Sequence, residues 1–234
     1  MGRLLIHVEG ETEESFVNEV LAPHLYCHGF TKVGARLLGN ARMRDRRGGI
    51  RSWESAKKDI ARHLKEDGGA ASATFVDFYA LPADPISGWP GRGPANALPF
   101  PQKAPLVQQA LLNDLEAELG ADLIAGRFFP FVVMHEFEAL LFSDPAAFCA
   151  GIGRTDLVEH FQSVRSQFGS PEEINDSPIT APSKRIISAV PGYQKPLFGT
   201  LAALEVGLDC MRVECPLFGA WVDQLEAWGA AQAG

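Results

Sequence analysis

Three short apolar runs that each end in acid restrict the fold more than any other feature of this chain. Leu4-Leu5-Ile6-His7-Val8 leads into Glu9, Ala73-Thr74-Phe75-Val76 into Asp77, and Phe131-Val132-Val133-Met134 into His135-Glu136-Phe137-Glu138. Runs of four or five apolar residues suit strands, and their alternation with helical segments argues a mostly parallel sheet. In an open α/β sheet the crevice lies beyond the carboxyl ends of the strands, so acids placed there converge although distant in sequence. Converging carboxylates repel unless a cation sits among them, and a hard divalent ion with oxygen ligands answers that need. The pattern therefore predicts a Mg²⁺- or Mn²⁺-binding site with Glu9, Asp77, Glu136 and Glu138 as ligands. The competing reading for each acid is a helix cap, a salt bridge or a solvated position.

Helices fill the intervals. Thr12 is placed to cap a helix over 13–27, with Phe16, Val17, Val20, Leu21 and Leu25 at helical spacing and Glu13 in the first turn, where the helix dipole favours an acid. Further helices are expected over 53–64, 104–119 and 135–142, and strands over 32–38, 73–81 and 127–134. Between Pro82 and Pro105 seven prolines and three glycines predict a long irregular loop. Beyond Asp144 the pattern is helical. The expected organisation is thus an α/β core over 1–144 with a mostly parallel sheet, and a helical C-terminal part over 145–234 packed on it.

The formal net charge of −8 disfavours a nucleic-acid partner only if it is evenly spread. Residues 31–65 hold eleven Lys and Arg against three acids, a local balance of +8, which leaves −16 for the remainder. Such a stripe, with Arg42, Arg44, Arg46, Arg47 and Arg51 at its centre, can bind phosphates, although it also reads as a solvated helix face beside a basic loop. The opening apolar run is too short for a signal peptide or a membrane span, and a myristoylation pattern is lacking, so a cytoplasmic chain without membrane attachment is expected. The four cysteines form no CxxC pair, which favours inert thiols over a zinc set.

Several motifs carry chemistry. Val8-Glu9-Gly10-Glu11-Thr12-Glu13 combines a strand-ending acid, a glycine turn and a helix start. In an extended strand Asp77 and Tyr79 share a face. His135-Glu136-Phe137-Glu138 is not a zinc-protease helix, because Ala139 stands where HExxH needs its second histidine. His135 reads as a packed strand-end histidine or, less simply, as a ligand. Together with Asn175, Pro182-Ser183-Lys184-Arg185, Tyr193-x-Lys195 and Cys215-Pro216-x-Phe218-x-x-Trp221, these motifs resemble a bacterial domain-of-unknown-function family, number four-two-seven-six, over nearly the whole chain.

That family is similar to the Toprim superfamily, near the nuclease half of OLD-type proteins. The resemblance implies a Toprim-like fold, metal-dependent phosphodiester chemistry on DNA or RNA, phage defence and an AAA ATPase partner, and it allows a homodimer. The alternative it implies is a non-catalytic Toprim partner or effector subunit of an ATPase complex. It maps Glu9 to the general acid/base or a metal ligand, Asp77 to the metal-binding acid, Glu136 or Glu138 to a further ligand, and Lys184 or Lys195 to the phosphate. Tyr79 stands where the Toprim Asp-x-Asp has its second acid, which puts a full two-metal site in doubt.

Overall fold

A computed structural model describes residues 2–38, 50–174, 177 and 179–233. The chain runs β1 (Gly2–Val8), α1 (Glu11–Phe16), a π-helical turn (Val17–Leu21), α2 (Ala22–Tyr26), β2 (Phe30–Leu37), α3 (Trp53–Glu66) and β3 (Ala70–Asp77). There follow α4 (Arg92–Ala95), α5 (Lys103–Leu119), α6 (Ala121–Ile124), β4 (Phe128–Val133), α7 (Glu138–Leu141) and α8 (Pro145–Gly151). Helices α9 (Val158–Arg165), α10 (Pro182–Ala189), α11 (Lys195–Val206), α12 (Leu208–Glu214) and α13 (Pro216–Ala233) complete it. The strands form one sheet in the order β2-β1-β3-β4, and every pairing is parallel. This is an α/β fold.

The continuous apolar runs are explained by helices on both faces of the sheet. Leu4, Ile6, Val8, Phe75 and Phe131 face one core, shared with Phe16, Phe137, Phe218 and Trp221. Val76, Phe128 and Val132 face a second core with Trp53, Ile60, Val107 and Leu111 from α3 and α5. In the first core Phe75 stacks on Phe131 (5.8 Å) and on Trp221 (5.6 Å), and Phe16 meets Phe75 (5.5 Å) and Phe137 (5.3 Å). These rings come from α1, β3, β4, α13 and the segment before α7, so the late helices share one interior with the sheet.

Element boundaries differ from the sequence expectation where side chains take over backbone bonding. Strand β3 stops at Asp77, whose pairing partner Val133 is the last residue of β4, and a 3₁₀ turn over Phe78–Ala80 follows. Extended pairing beyond Asp77 has no partner strand there, so Asp77 and Tyr79 do not share a strand face. The helix expected over 135–142 is reduced to α7, and the Phe137 N–H just before it donates to Asp77 Oδ1 at 2.8 Å. Thr12 does not cap α1; extended Gly10 (φ −142°) is the cap residue and Thr12 is buried. The π turn precedes Pro23, which cannot donate to the carbonyl one turn back, and a widened turn accommodates that loss.

The proline-rich segment is packed as well as irregular. It holds α4, and Trp89 and Ala95 lie in the second core. Buried Arg92 donates from Nε to the Phe78 carbonyl at 2.9 Å, with its guanidinium 3.8 Å from the Phe78 ring centre. Trp89 Nε1 donates to the Arg51 carbonyl at 2.9 Å, which ties the segment to the approach of α3.

Glu172, 1% exposed, anchors the start of α13 by accepting the N–H groups of Leu217 (2.9 Å) and Phe218 (3.0 Å). Helix N-termini carry amides with no acceptor of their own, and here a distant carboxylate supplies it. Glu172→Leu leaves both amides buried and unsatisfied, and a loss of about 2–5 kcal/mol is expected in urea unfolding. A loss within 0.5 kcal/mol would show that water replaces the carboxylate.

Candidate metal centre

The carboxyl ends of β1, β3 and β4 bring the acids together. Glu9 follows the last residue of β1, and its carboxylate accepts the backbone N–H of Asp77 at the end of β3. Asp77 in turn accepts from Phe137, which lies between Glu136 and Glu138 after β4. Glu13, in the first turn of α1, reaches back to the N–H of Gly10, the reciprocal bond of a capping box. Glu138 is 2% exposed and receives Lys195 Nζ at 2.9 Å from the start of α11. Glu136 Oε2 accepts the Ser183 N–H at 2.9 Å, at the start of α10.

The electrostatics are unbalanced. Among the described residues, Glu9, Glu13, Asp77, Glu136 and Glu138 face one ammonium, that of Lys195. Burial first, and then the Glu13 charge, push Glu9 up to about 7, against the opposing Asp77 N–H and Lys195. Burial and Glu138 bring Glu13 to about 7 as well. Asp77 is held well above the usual carboxylate range by burial, Glu13, Glu9 and Glu138. Burial also raises Glu138, although Lys195 works against it. Burial acts against the Lys195 charge, yet Glu138, Glu136 and Asp77 hold the ammonium above its ordinary value.

This donor set fits the hard divalent cation that the sequence implies. Every side-chain donor is oxygen, and Glu9 Oε2 is buried with no hydrogen-bond partner among the described residues. No three of these acids bring ligand oxygens within 4.8 Å of one another. Water must therefore complete any coordination shell, as is usual for Mg²⁺, which binds through one or two carboxylates and keeps several waters.

The remaining candidates take other places. Lys184 is exposed on α10, and it is Lys195 that reaches the acids. His135, 2% exposed, is packed between Phe78 (6.1 Å) and Tyr79 (5.2 Å). Tyr79 is half-buried against that ring, and its N–H donates to the His135 carbonyl at 3.4 Å. Arg42, Arg44, Arg46 and Arg47 lie outside the described residues. Arg51 is half-buried and donates to Ser55 Oγ at 3.4 Å. Part of the basic stripe is locally paired: Lys57 joins Asp114 (3.0 Å) and Glu118 (3.1 Å) of α5, and Arg62 joins Asp59 (2.6 Å). Tyr193, given no role in the sequence reading beyond its motif, lies near the acids. Its hydroxyl is buried without a hydrogen-bond partner among the described residues and feels the Glu138 charge; the Tyr193-x-Lys195 spacing was the available signal.

A parallel α/β chain with buried acids and one lysine at the carboxyl edge of its sheet is the class that fold and site define. The chain belongs to the family described as "Domain of unknown function (DUF4276)", whose profile matches residues 8–226. Among solved structures it is similar to the C-terminal region of the Burkholderia pseudomallei OLD protein, at 15% identity and a TM-score of 0.42 over 99% of this chain and 98% of that one. No curated protein matches.

Glu9 and Glu13 titrate near 7 in the fold against 4.5 as ordinary carboxyls, so the folded state binds extra protons between those values. Their contribution to stability is complete below pH 4.5 and is lost as pH rises through 7. Glu9→Gln, which does not ionise, should therefore gain on the wild type in metal-free thermal melts as pH rises from 5 to 8, by about 3 °C or more. A pH-independent difference would mean that the Glu9 charge is already compensated.

Proposed function

We propose that this chain is a Mg²⁺- or Mn²⁺-dependent phosphodiesterase acting on DNA or RNA. The observation that carries the reading is the convergence of five carboxylates on a single lysine at the carboxyl edge of a parallel sheet. Such a site has more negative charge than its own residues neutralise, and it lies where α/β folds bind ligands. The resemblance of its motifs to OLD-type Toprim domains supports the same chemistry.

Asp77 and Glu138 would hold the ion, with Glu9, Glu136 and Glu13 at its margin. When bound, the ion supplies Lewis-acid activation of water and neutralises charge on the phosphate. Glu9, with a carboxyl near neutrality and one oxygen without a partner, takes the proton of the attacking water. Lys195, partly exposed at its side chain, turns from Glu138 toward a phosphate oxygen and stabilises the negative charge that builds there. Tyr193 offers a hydroxyl donor beside it. The arginines of segment 42–51 add sequence-independent affinity for the backbone.

Incubation with plasmid, single-stranded DNA and tRNA should give cleavage with Mg²⁺ or Mn²⁺ and none with EDTA. Glu9→Gln, Asp77→Asn and Lys195→Met should each lower the rate by about 100-fold or more while the fold is retained. Absence of cleavage on all three substrates, with no Mn²⁺ heat in calorimetry, would sink the reading and favour the non-catalytic alternative.

Binding of a catalytically inactive variant to single-stranded DNA or tRNA should weaken steeply with salt. Replacing Arg44, Arg46 and Arg47 with Ala should reduce the slope of log K against log[salt] by about 2. An unchanged slope would assign these arginines to a solvated surface.

A further inference from the structure

A second group of ligating side chains lies on the opposite flank of the fold, where α2 and its following turn meet α13. His24 and His28 are four residues apart, so both rings leave the same side of the helix end, and their centres are 4.5 Å apart. Glu226 of α13 faces them. Its Oε1 lies 2.5 Å from His24 Nε2 and 3.8 Å from His28 Nε2, and one ligand atom from each residue falls within 4.8 Å of the other two. All three side chains retain solvent access, at 22%, 35% and 19% exposure.

The backbone under the group is held in position. Gly29, at φ +86°, lies so close to α13 that a Cβ there would come within 2.3 Å of the Gly229 carbonyl oxygen, and a Cβ on Gly229 would come equally close to the His28 carbonyl oxygen. Two glycines thus allow the turn and the helix to touch, and the histidines and Glu226 are pre-positioned by that contact. Imidazole nitrogen with one carboxylate is a donor set for borderline divalent metals, unlike the all-oxygen set of the crevice.

We propose that His24, His28 and Glu226 form a Zn²⁺-class binding site that clips the end of α2 to α13, with water as the fourth ligand. The group that competes with the metal is Arg212, whose Nη1 sits 2.6 Å from Glu226 Oε1 and 3.3 Å from His24 Nε2. Arg212 also donates to Asp223 at 2.6 Å, so it has a second carboxylate to retain when the metal displaces it from Glu226. Cys27, the thiol nearest in sequence, is engaged by the Pro23 carbonyl at 3.8 Å and is not a ligand in this geometry.

The test is calorimetric titration of the full chain with Zn²⁺ in excess Mg²⁺, repeated with Co²⁺ to read the absorption of a tetrahedral site. One Zn²⁺ per chain is expected. His28→Ala and Glu226→Gln should each weaken it by about tenfold or more, which is about 1.4 kcal/mol or more. Arg212→Ala should tighten it, a change that partial unfolding does not mimic. Glu9→Gln with Asp77→Asn should leave Zn²⁺ affinity unchanged, which separates this site from the crevice whether or not the chain cleaves phosphodiesters. No Zn²⁺ binding, binding indifferent to His28→Ala and Glu226→Gln, or binding abolished by the crevice variants would overturn the proposal.

Discussion

The ion pair between Lys195 and Glu138 is the interaction on which the crevice depends. Five carboxylates, Glu13 and Glu138 buried and Glu9, Asp77 and Glu136 partly so, repel one another at the ends of β1, β3 and β4, and removing one partner from a buried pair leaves a charge that costs several kcal/mol. Lys195 offsets part of that repulsion from outside the sheet, because α11 crosses over the acids and presents its first residue to them. The close approach of α11 to its neighbours follows from small residues. A Cβ on Gly199 would sit 3.0 Å from Thr12 Cγ2 of α1, and one on Gly151 would sit 2.8 Å from the Ala202 Cα of α11. Packing of small residues thus delivers the charge.

The acids are positioned by backbone amides as much as by strands. Asp77 donates its own N–H to Glu9 and accepts one from Phe137, and Ser183 secures Glu136. These bonds fix the carboxylates at element ends, where hydrogen bonding in a ladder has run out and donors are available. Rings directly beneath, Phe75 two residues before Asp77 and Phe137 between the two glutamates, carry the same segments into the aromatic core. The two polar ends of β3 and β4 are therefore rigid because an apolar interior lies one residue below them.

Much of this was legible in the residues. The alternation of strands and helices announced a mostly parallel sheet, and the acid after each apolar run announced a common edge, because strand ends in such sheets share one side. What the sequence could not disclose is side-chain substitution for backbone bonds. The Phe137 amide reaches Asp77 from a turn that precedes α7, where periodicity alone starts the helix at His135, and the end of β4 at Val133 stopped β3 before Tyr79. Choosing between Lys184 and Lys195 likewise needed three dimensions: both lie in the first turn of a helix that carries a proline there, Pro182 and Pro196, but α10 turns Lys184 to solvent while α11 aims Lys195 at Glu138. The histidines of α2 passed unnoticed because their third partner lies about two hundred residues away, in α13.

An all-parallel sheet also has a temporal consequence. No described strand pairs through a hairpin: Arg3 meets Lys32 in β2 and Ala70 in β3, and Ser72 meets Phe128, so two of the three pairings close loops of more than fifty residues. Loop closure of that length precedes any reward from pairing, and topologies dominated by such contacts fold slowly. Helices such as α3 and α5 draw on local contacts, whereas the acids meet only where strands distant in sequence have paired.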